Sequence, residues 1–107
     1  MSGSVLNPGV RVVSVKGSNA LQGGHASVTV GAAAVALPAI PEDATGAIIS
    51  IDGADVRALW EGTTPTSSVG HKYLDGDFFT LATRDDLLRF RAHRAGSTDA
   101  TLRVTYA

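Results

Sequence analysis

Three histidines, His25, His71 and His93, are the only side chains in this sequence that titrate near neutrality without help from their surroundings. A zinc hydrolase needs two histidines one helical turn apart or three that converge. No H-E-x-x-H occurs, so zinc chemistry is not expected. His71 with Asp75 and Asp77 offers ligands to a hard cation, but the regular carboxylate spacing of a calcium loop is missing, and the stretch reads as a β-turn with solvated carboxylates. Serine and threonine are plentiful, yet no G-x-S-x-G elbow holds one beside an oriented base. Glu42, Asp43, Asp52, Asp55 and Glu61 allow too many pairs to single out the two carboxylates of a glycosidase. Phosphate-cradling glycine loops are absent as well. No catalytic residue, metal site or cofactor is expected, and the chain is read as a non-enzyme.

Two kinds of residue remain that could recognise something. Trp60 and Tyr73 flank the polar stretch EGTTPTSSVG and are the candidates for a platform on which a sugar ring stacks. Trp60 is also in phase with Val56 and Ala58, which favours a core position. The second kind is charge. Residues 1 to 41 carry +2, residues 42 to 86 carry −6 and residues 87 to 107 carry +3, so a net charge of −1 conceals basic ends around an acidic middle. Such segregation is either cancelled within the fold or reserved for partners of opposite sign. The small net charge argues against nucleic-acid binding.

A length of 107 residues is one domain's worth. Without cysteine the chain forms no disulfide and no thiolate metal site. Its longest mostly apolar stretch, Gly31 to Ile40, is far short of the roughly 20 residues that span a bilayer. MSGSVLNPGV carries neither a basic nor an apolar leader region, so neither a membrane span nor a signal peptide is expected.

Twelve glycines, four prolines and many valines and threonines disfavour long helices, so the elements that position these residues are expected to be strands. Leu88 to His93 alternates Leu88, Phe90 and Ala92 with Arg89, Arg91 and His93. Thr101 to Tyr106 alternates Leu102, Val104 and Tyr106 with Thr101, Arg103 and Thr105. Gly96-Ser97-Thr98-Asp99 between them predicts a C-terminal hairpin with one dry face and one wet face. Ala47 to Ile51 and Val56 to Trp60, joined at Asp52-Gly53, predict a second hairpin. His25 to Val30, Val35 to Leu37, Phe78 to Leu81 and Arg11 to Val15 add further strands. The total of about seven or eight suits an antiparallel sandwich or small barrel. Residues 1 to 24 read as an extended N-terminal arm around the apolar run Val10, Val12, Val13 and Val15, or as an edge strand with a frayed end. Residues 25 to 107 read as the β-sandwich domain.

From Val28 onward the chain resembles small virion proteins of tailed bacteriophages and of phage-derived gene transfer agents. The matching pieces are VTVGAAAVALP, ADVRALWEGTTPT with SSVGH, DGDFFTL, DLLRFRA and the terminal ATLRVTY. The resemblance implies a jelly-roll-like sandwich in which the glycine-threonine-proline-threonine loop joins two strands, a glycine-aspartate turn precedes an aromatic strand, and the last strand ends in tyrosine. It implies a non-enzymatic part of a particle, on the head as a decoration protein or as the base of a spike or fibre, with a tail or baseplate position as the alternative. Implied partners are the major capsid protein or neighbouring virion subunits, in a homo-oligomer assembled in the host cytoplasm, with no nucleic acid and no membrane. A carbohydrate-binding module for host-surface glycans, using Trp60 and Tyr73, is the alternative from another class.

Two attachment surfaces follow. Val10, Val12, Val13 and Val15 are expected to pair with a neighbouring chain or with the capsid surface as an added strand. Arg89, Arg91, His93 and Arg103 are expected to share the wet face of the C-terminal hairpin. There they are either neutralised by Asp85 and Asp86 or docked on an acidic surface.

Overall fold

The computed structural model describes residues 24–107. Seven strands and one short helix follow in order: β1 (His25–Val30), β2 (Ala47–Asp52), β3 (Val56–Leu59), β4 (His71–Tyr73), β5 (Phe78–Leu81), α1 (Arg84–Arg89), β6 (Arg91–Arg94) and β7 (Ala100–Tyr106). The strands form two antiparallel sheets, one of four strands in the order β1-β7-β2-β5 and one of three in the order β4-β3-β6. The fold is an all-β antiparallel sandwich, as the composition predicts.

Period-2 alternation decides which side each strand buries. Ala100, Leu102, Val104 and Tyr106 of β7 are at most 2% exposed, whereas Arg103 between them is exposed. Ala47, Ile49 and Ile51 of β2, Val56 and Ala58 of β3, and Ala92 of β6 bury the same way. Leu81, Leu87 and Phe90 join them in one continuous core. Each fully buried Leu, Ile, Val or Phe contributes about 1.5–3 kcal/mol, so this inner layer is where the fold's stability resides.

The connections differ from the expected ones. Asp52-Gly53 does not fold β3 back onto β2, because β2 already pairs with β5 on one edge and β7 on the other. The chain crosses instead to the three-stranded sheet, where β3 pairs with β4 and β6. The expected C-terminal hairpin fails for the same reason, since β1 and β2 occupy both edges of β7. Three arches, at residues 53–55, 74–77 and 95–99, carry the chain between sheets at one end of the sandwich, where antiparallel pairing gathers them, and a fourth crossing, from β5 to β6, runs through α1 at the other end. Gly53 and Gly76 take φ of 98° and 93° there, a conformation in which any side chain is strained.

The strand expected from Leu88 is corrected too. Residues Arg84–Arg89 are helical, and the strand begins only at Arg91. The Thr83 hydroxyl accepts the Asp86 N–H at 3.1 Å, Asp85 and Asp86 sit in the first turn, and Arg89 closes the last. This is the charge order that a helix's peptide dipoles favour. Leu88, expected on the dry side, is 52% exposed, while Leu87 and Phe90 are fully buried. The strand expected at Val35 to Leu37 is reduced to one bridge, Val35 to Ala92. The strand expected at Arg11 to Val15 lies outside the described residues.

Candidate functional site

The face expected to gather Arg89, Arg91, His93 and Arg103 is divided by the fold, because β6 and β7 belong to different sheets. Arg103 points out of the four-stranded sheet, its Nη2 3.2 Å from Asp52 Oδ2. Arg89 ends α1, its Nε 3.2 Å from Asp85 Oδ2 one helical turn earlier. Both pairs are exposed, and such pairs contribute at most about 1 kcal/mol. Internal pairing thus accounts for these two arginines. Val10, Val12, Val13 and Val15 lie outside the described residues.

Arg91 and His93 point the other way, out of the three-stranded sheet. There the register sets Lys72, Arg57 and His93 side by side across β4, β3 and β6, with Leu59 and Arg91 opposite each other in the next row. Val56, Ala58 and Ala92 are fully buried, so alternation sends Arg57, Leu59, Arg91 and His93 outward. Arg57 Nη1 donates to the Gly70 carbonyl at 3.1 Å, and its Nε is closed off from solvent with no acceptor among the described residues. Arg91 Nη1 donates to the Phe90 carbonyl at 2.7 Å and the Leu88 carbonyl at 3.3 Å. Lys72 Nζ lies 3.9 Å from Asp55 Oδ2. His93 Nδ1 is 2.7 Å from the Arg94 carbonyl oxygen and Nε2 is 3.1 Å from that of Ala32. Each ring nitrogen of His93 thus faces a backbone carbonyl oxygen.

Sequence reasoning missed Arg57 and Lys72. The alternation of Val56 and Ala58 already turns Arg57 outward. The row it forms with Lys72 and His93 depends on strand pairing, which local patterning does not specify.

Trp60 and Tyr73 lie at the open flank between the edge strands β4 and β5, half-buried against the core. Tyr73 stacks on Phe79 with ring centres 4.1 Å apart, and burial raises its hydroxyl above the ordinary tyrosine range. Trp60 stacks, offset, on Phe79 at 5.9 Å and Phe90 at 6.3 Å, with the His71 ring tilted against it at 5.5 Å. The two rings thus pack against the core aromatics, each with part of its surface exposed. Beside them, hydrogen bonds from the hydroxyl and the N–H of Thr63 hold the Glu61 carboxylate below its ordinary range.

At the arch end, Asp75 Oδ1 accepts the Gly53 N–H and Asp55 Oδ1 accepts the Asp75 N–H, each at 2.9 Å. Asp77 Oδ2 accepts the Leu74 N–H at 2.8 Å. These carboxylates fold the turns, and Ala54, Asp55, Lys72 and residues 95–98 line a shallow depression of about 220 Å³ beside them. His71, Asp75 and Asp77 do not form a metal-binding group, and no other such group of three occurs among the described residues.

Comparison of the chain with protein-family models, curated proteins and solved structures finds no match in any of the three.

Proposed function

We propose that this chain is a non-enzymatic structural component of a phage or phage-like particle. It sits on the head surface as a decoration protein or as the base of a spike or fibre, with the major capsid protein or neighbouring virion subunits as partners. The observation that carries the reading is the cationic outer face of the three-stranded sheet, where Arg57 and Arg91 have carbonyl partners but no carboxylate partner among the described residues. A sandwich whose core is wholly apolar, with its recognition chemistry on one sheet face, suits repeated attachment to a larger surface. The motifs of the resemblance add support. The loop containing Gly62-Thr63-Thr64-Pro65-Thr66 joins β3 to β4, the turn at Asp75-Gly76-Asp77 leads into the phenylalanines of β5, and β7 ends at Tyr106.

The test is the mass of the full chain in solution, followed by co-sedimentation with empty heads and with isolated tails from cells that encode it. A discrete homo-oligomer that saturates the heads is the expected result. Saturation of tails alone moves the protein to the tail or baseplate, and sedimentation with neither overturns the reading.

A further inference from the structure

Six arginines fall within the described residues, and they divide into two groups. Arg89, Arg94 and Arg103 each contact a carboxylate, from Asp85, Asp99 and Asp52 respectively. Among the described residues, Arg57, Arg84 and Arg91 meet only backbone carbonyls. Arg84 is accounted for, since its Nη1 ties α1 to the carbonyls of Pro41 and Ala44 at 2.8 Å each. Arg57 and Arg91 are left, and they share one sheet face with Lys72 and His93. Like charges on neighbouring strands repel unless something negative offsets them. Among the described residues, Asp55, 3.9 Å from Lys72, is the single carboxylate in contact with this group.

We infer that the outer face of the three-stranded sheet is a docking surface for a carboxylate-rich protein segment in extended conformation. This deepens the particle reading by naming the surface that attaches and the chemistry it meets. The match is geometric as well as electrostatic. Arg57 opposes His93 and Leu59 opposes Arg91, so Arg57 and Arg91 occupy diagonal positions on the sheet, about 7–8 Å apart along the backbone of an antiparallel pair. Side chains at i and i+2 of an extended strand project from one side about 6.5–7 Å apart. An alternating acidic strand therefore brings one carboxylate to each arginine. Among the described residues Arg57 and Arg91 each bond through Nη1 alone, which leaves Nη2 to donate to a carboxylate. Leu59, half-buried beside them, gives the segment an apolar contact.

The probe is an alternating Glu-Thr octapeptide titrated into the full chain at low salt, read by amide chemical shifts. A control octapeptide of the same composition carries its glutamates in one block. Shifts concentrated at Arg57, Leu59, Lys72, Arg91 and His93 are expected, with the alternating peptide binding the tighter of the two. The variant Lys72→Glu/Arg91→Glu is expected to melt near the wild-type temperature and to lose at least about tenfold in affinity. Binding is also expected to weaken strongly as salt rises from about 0.05 M to about 0.5 M, because exposed charges are screened.

Shifts centred on Arg89 or Arg103, equal binding of both peptides, or unchanged binding by the variant overturns the inference. So does concentration-dependent self-association of the wild type that the variant abolishes, which would assign the face to a second copy. The two readings fail separately. Heads that still bind the variant leave the particle reading standing without this face, whereas peptide binding without head binding leaves the face without the particle.

Discussion

Asp55 accepts the backbone N–H of Asp75 across 20 positions of sequence, at 2.9 Å, and Asp75 in turn accepts the N–H of Gly53. Two arches that cross between the sheets are thereby pinned to each other by side chains that look, in sequence, like ordinary turn carboxylates. Removing either carboxylate leaves an arch N–H unpaired. Asp55→Ala and Asp75→Ala are each expected to cost about 1 kcal/mol, the usual worth of one such bond near the surface. Asp75→Asn keeps an acceptor oxygen and should cost less. Because the bonds belong to one network, urea unfolding of the double alanine variant is expected to give less than the sum of the single losses.

Tyr106 is 1% exposed, and its hydroxyl donates to the Pro38 carbonyl, tying the last strand to the segment before β2. Tyr106→Phe leaves that carbonyl without its donor and is expected to cost about 1–2 kcal/mol. Burial also pushes the Tyr106 hydroxyl up to about 12 from a reference of 10.0. With the folded value raised, the unfolded chain releases this proton first. The associated stability is therefore complete below about pH 10 and is lost as pH rises toward about 12, at most about 3 kcal/mol for a shift of this size. Ultraviolet titration should find one tyrosine ionising near 12, and Tyr106→Phe should remove that step.

Strand positions and faces were largely legible, and strand partners were not. The alternation of Leu102, Val104 and Tyr106 assigns their burial from local pattern alone, and β1 falls on the span His25–Val30 that the pattern predicts. Asp52-Gly53 and Gly96 to Asp99 are good turn sequences for a hairpin and equally good ones for an arch. Positive φ at Gly53 is needed in either. What separates the two is competition for strand edges by β5, β7 and β1, residues distant in sequence. The basic face follows the partners: alternation alone sets Arg91 and His93 beside Arg103, whereas strand pairing sets them beside Arg57 and Lys72. Helix α1 is a different miss. Thr83-Arg84-Asp85-Asp86 carries a cap and an acidic first turn in plain view, and the alternation from Leu88 to His93 competes with them as a strand signal.

Gly46 and Gly76 separate two reasons for glycine. A Cβ on Gly46 would stand 2.9 Å from the Leu81 carbonyl oxygen, a backbone atom in the pairing of β2 with β5 that cannot easily withdraw. Gly46→Ala is expected to cost about 2 kcal/mol through forced displacement of β5. A Cβ on Gly76 would meet nothing within 4 Å, but φ there is +93°. Gly76→Ala is expected to cost about 1 kcal/mol from backbone strain alone. Thermal melts should rank the two in that order. Amide exchange should quicken along β5 for Gly46→Ala and stay confined to the arch for Gly76→Ala.

Adjacent phenylalanines in β5 give the sharpest contrast. Phe78 points out of the four-stranded sheet and is 72% exposed. Phe79 points in, with Tyr73 at 4.1 Å, Trp60 at 5.9 Å and Phe90 at 6.0 Å. Phe78→Ala is expected to leave stability within about 0.5 kcal/mol of wild type, as for surface positions generally. Phe79→Ala is expected to cost about 2–3 kcal/mol, below the full-core range because the ring is half-buried. The chain's single tryptophan reports on the same event. Without Phe79 the Trp60 ring loses one stacking neighbour and admits water, so its emission should move to longer wavelength, whereas Phe78→Ala should leave it in place. The same signal tests Trp60 and Tyr73 as a sugar platform. Trp60 already lies against Phe79, Phe90 and His71, so oligosaccharides are expected to leave its emission unchanged, and a saturable shift would move the function to glycan binding.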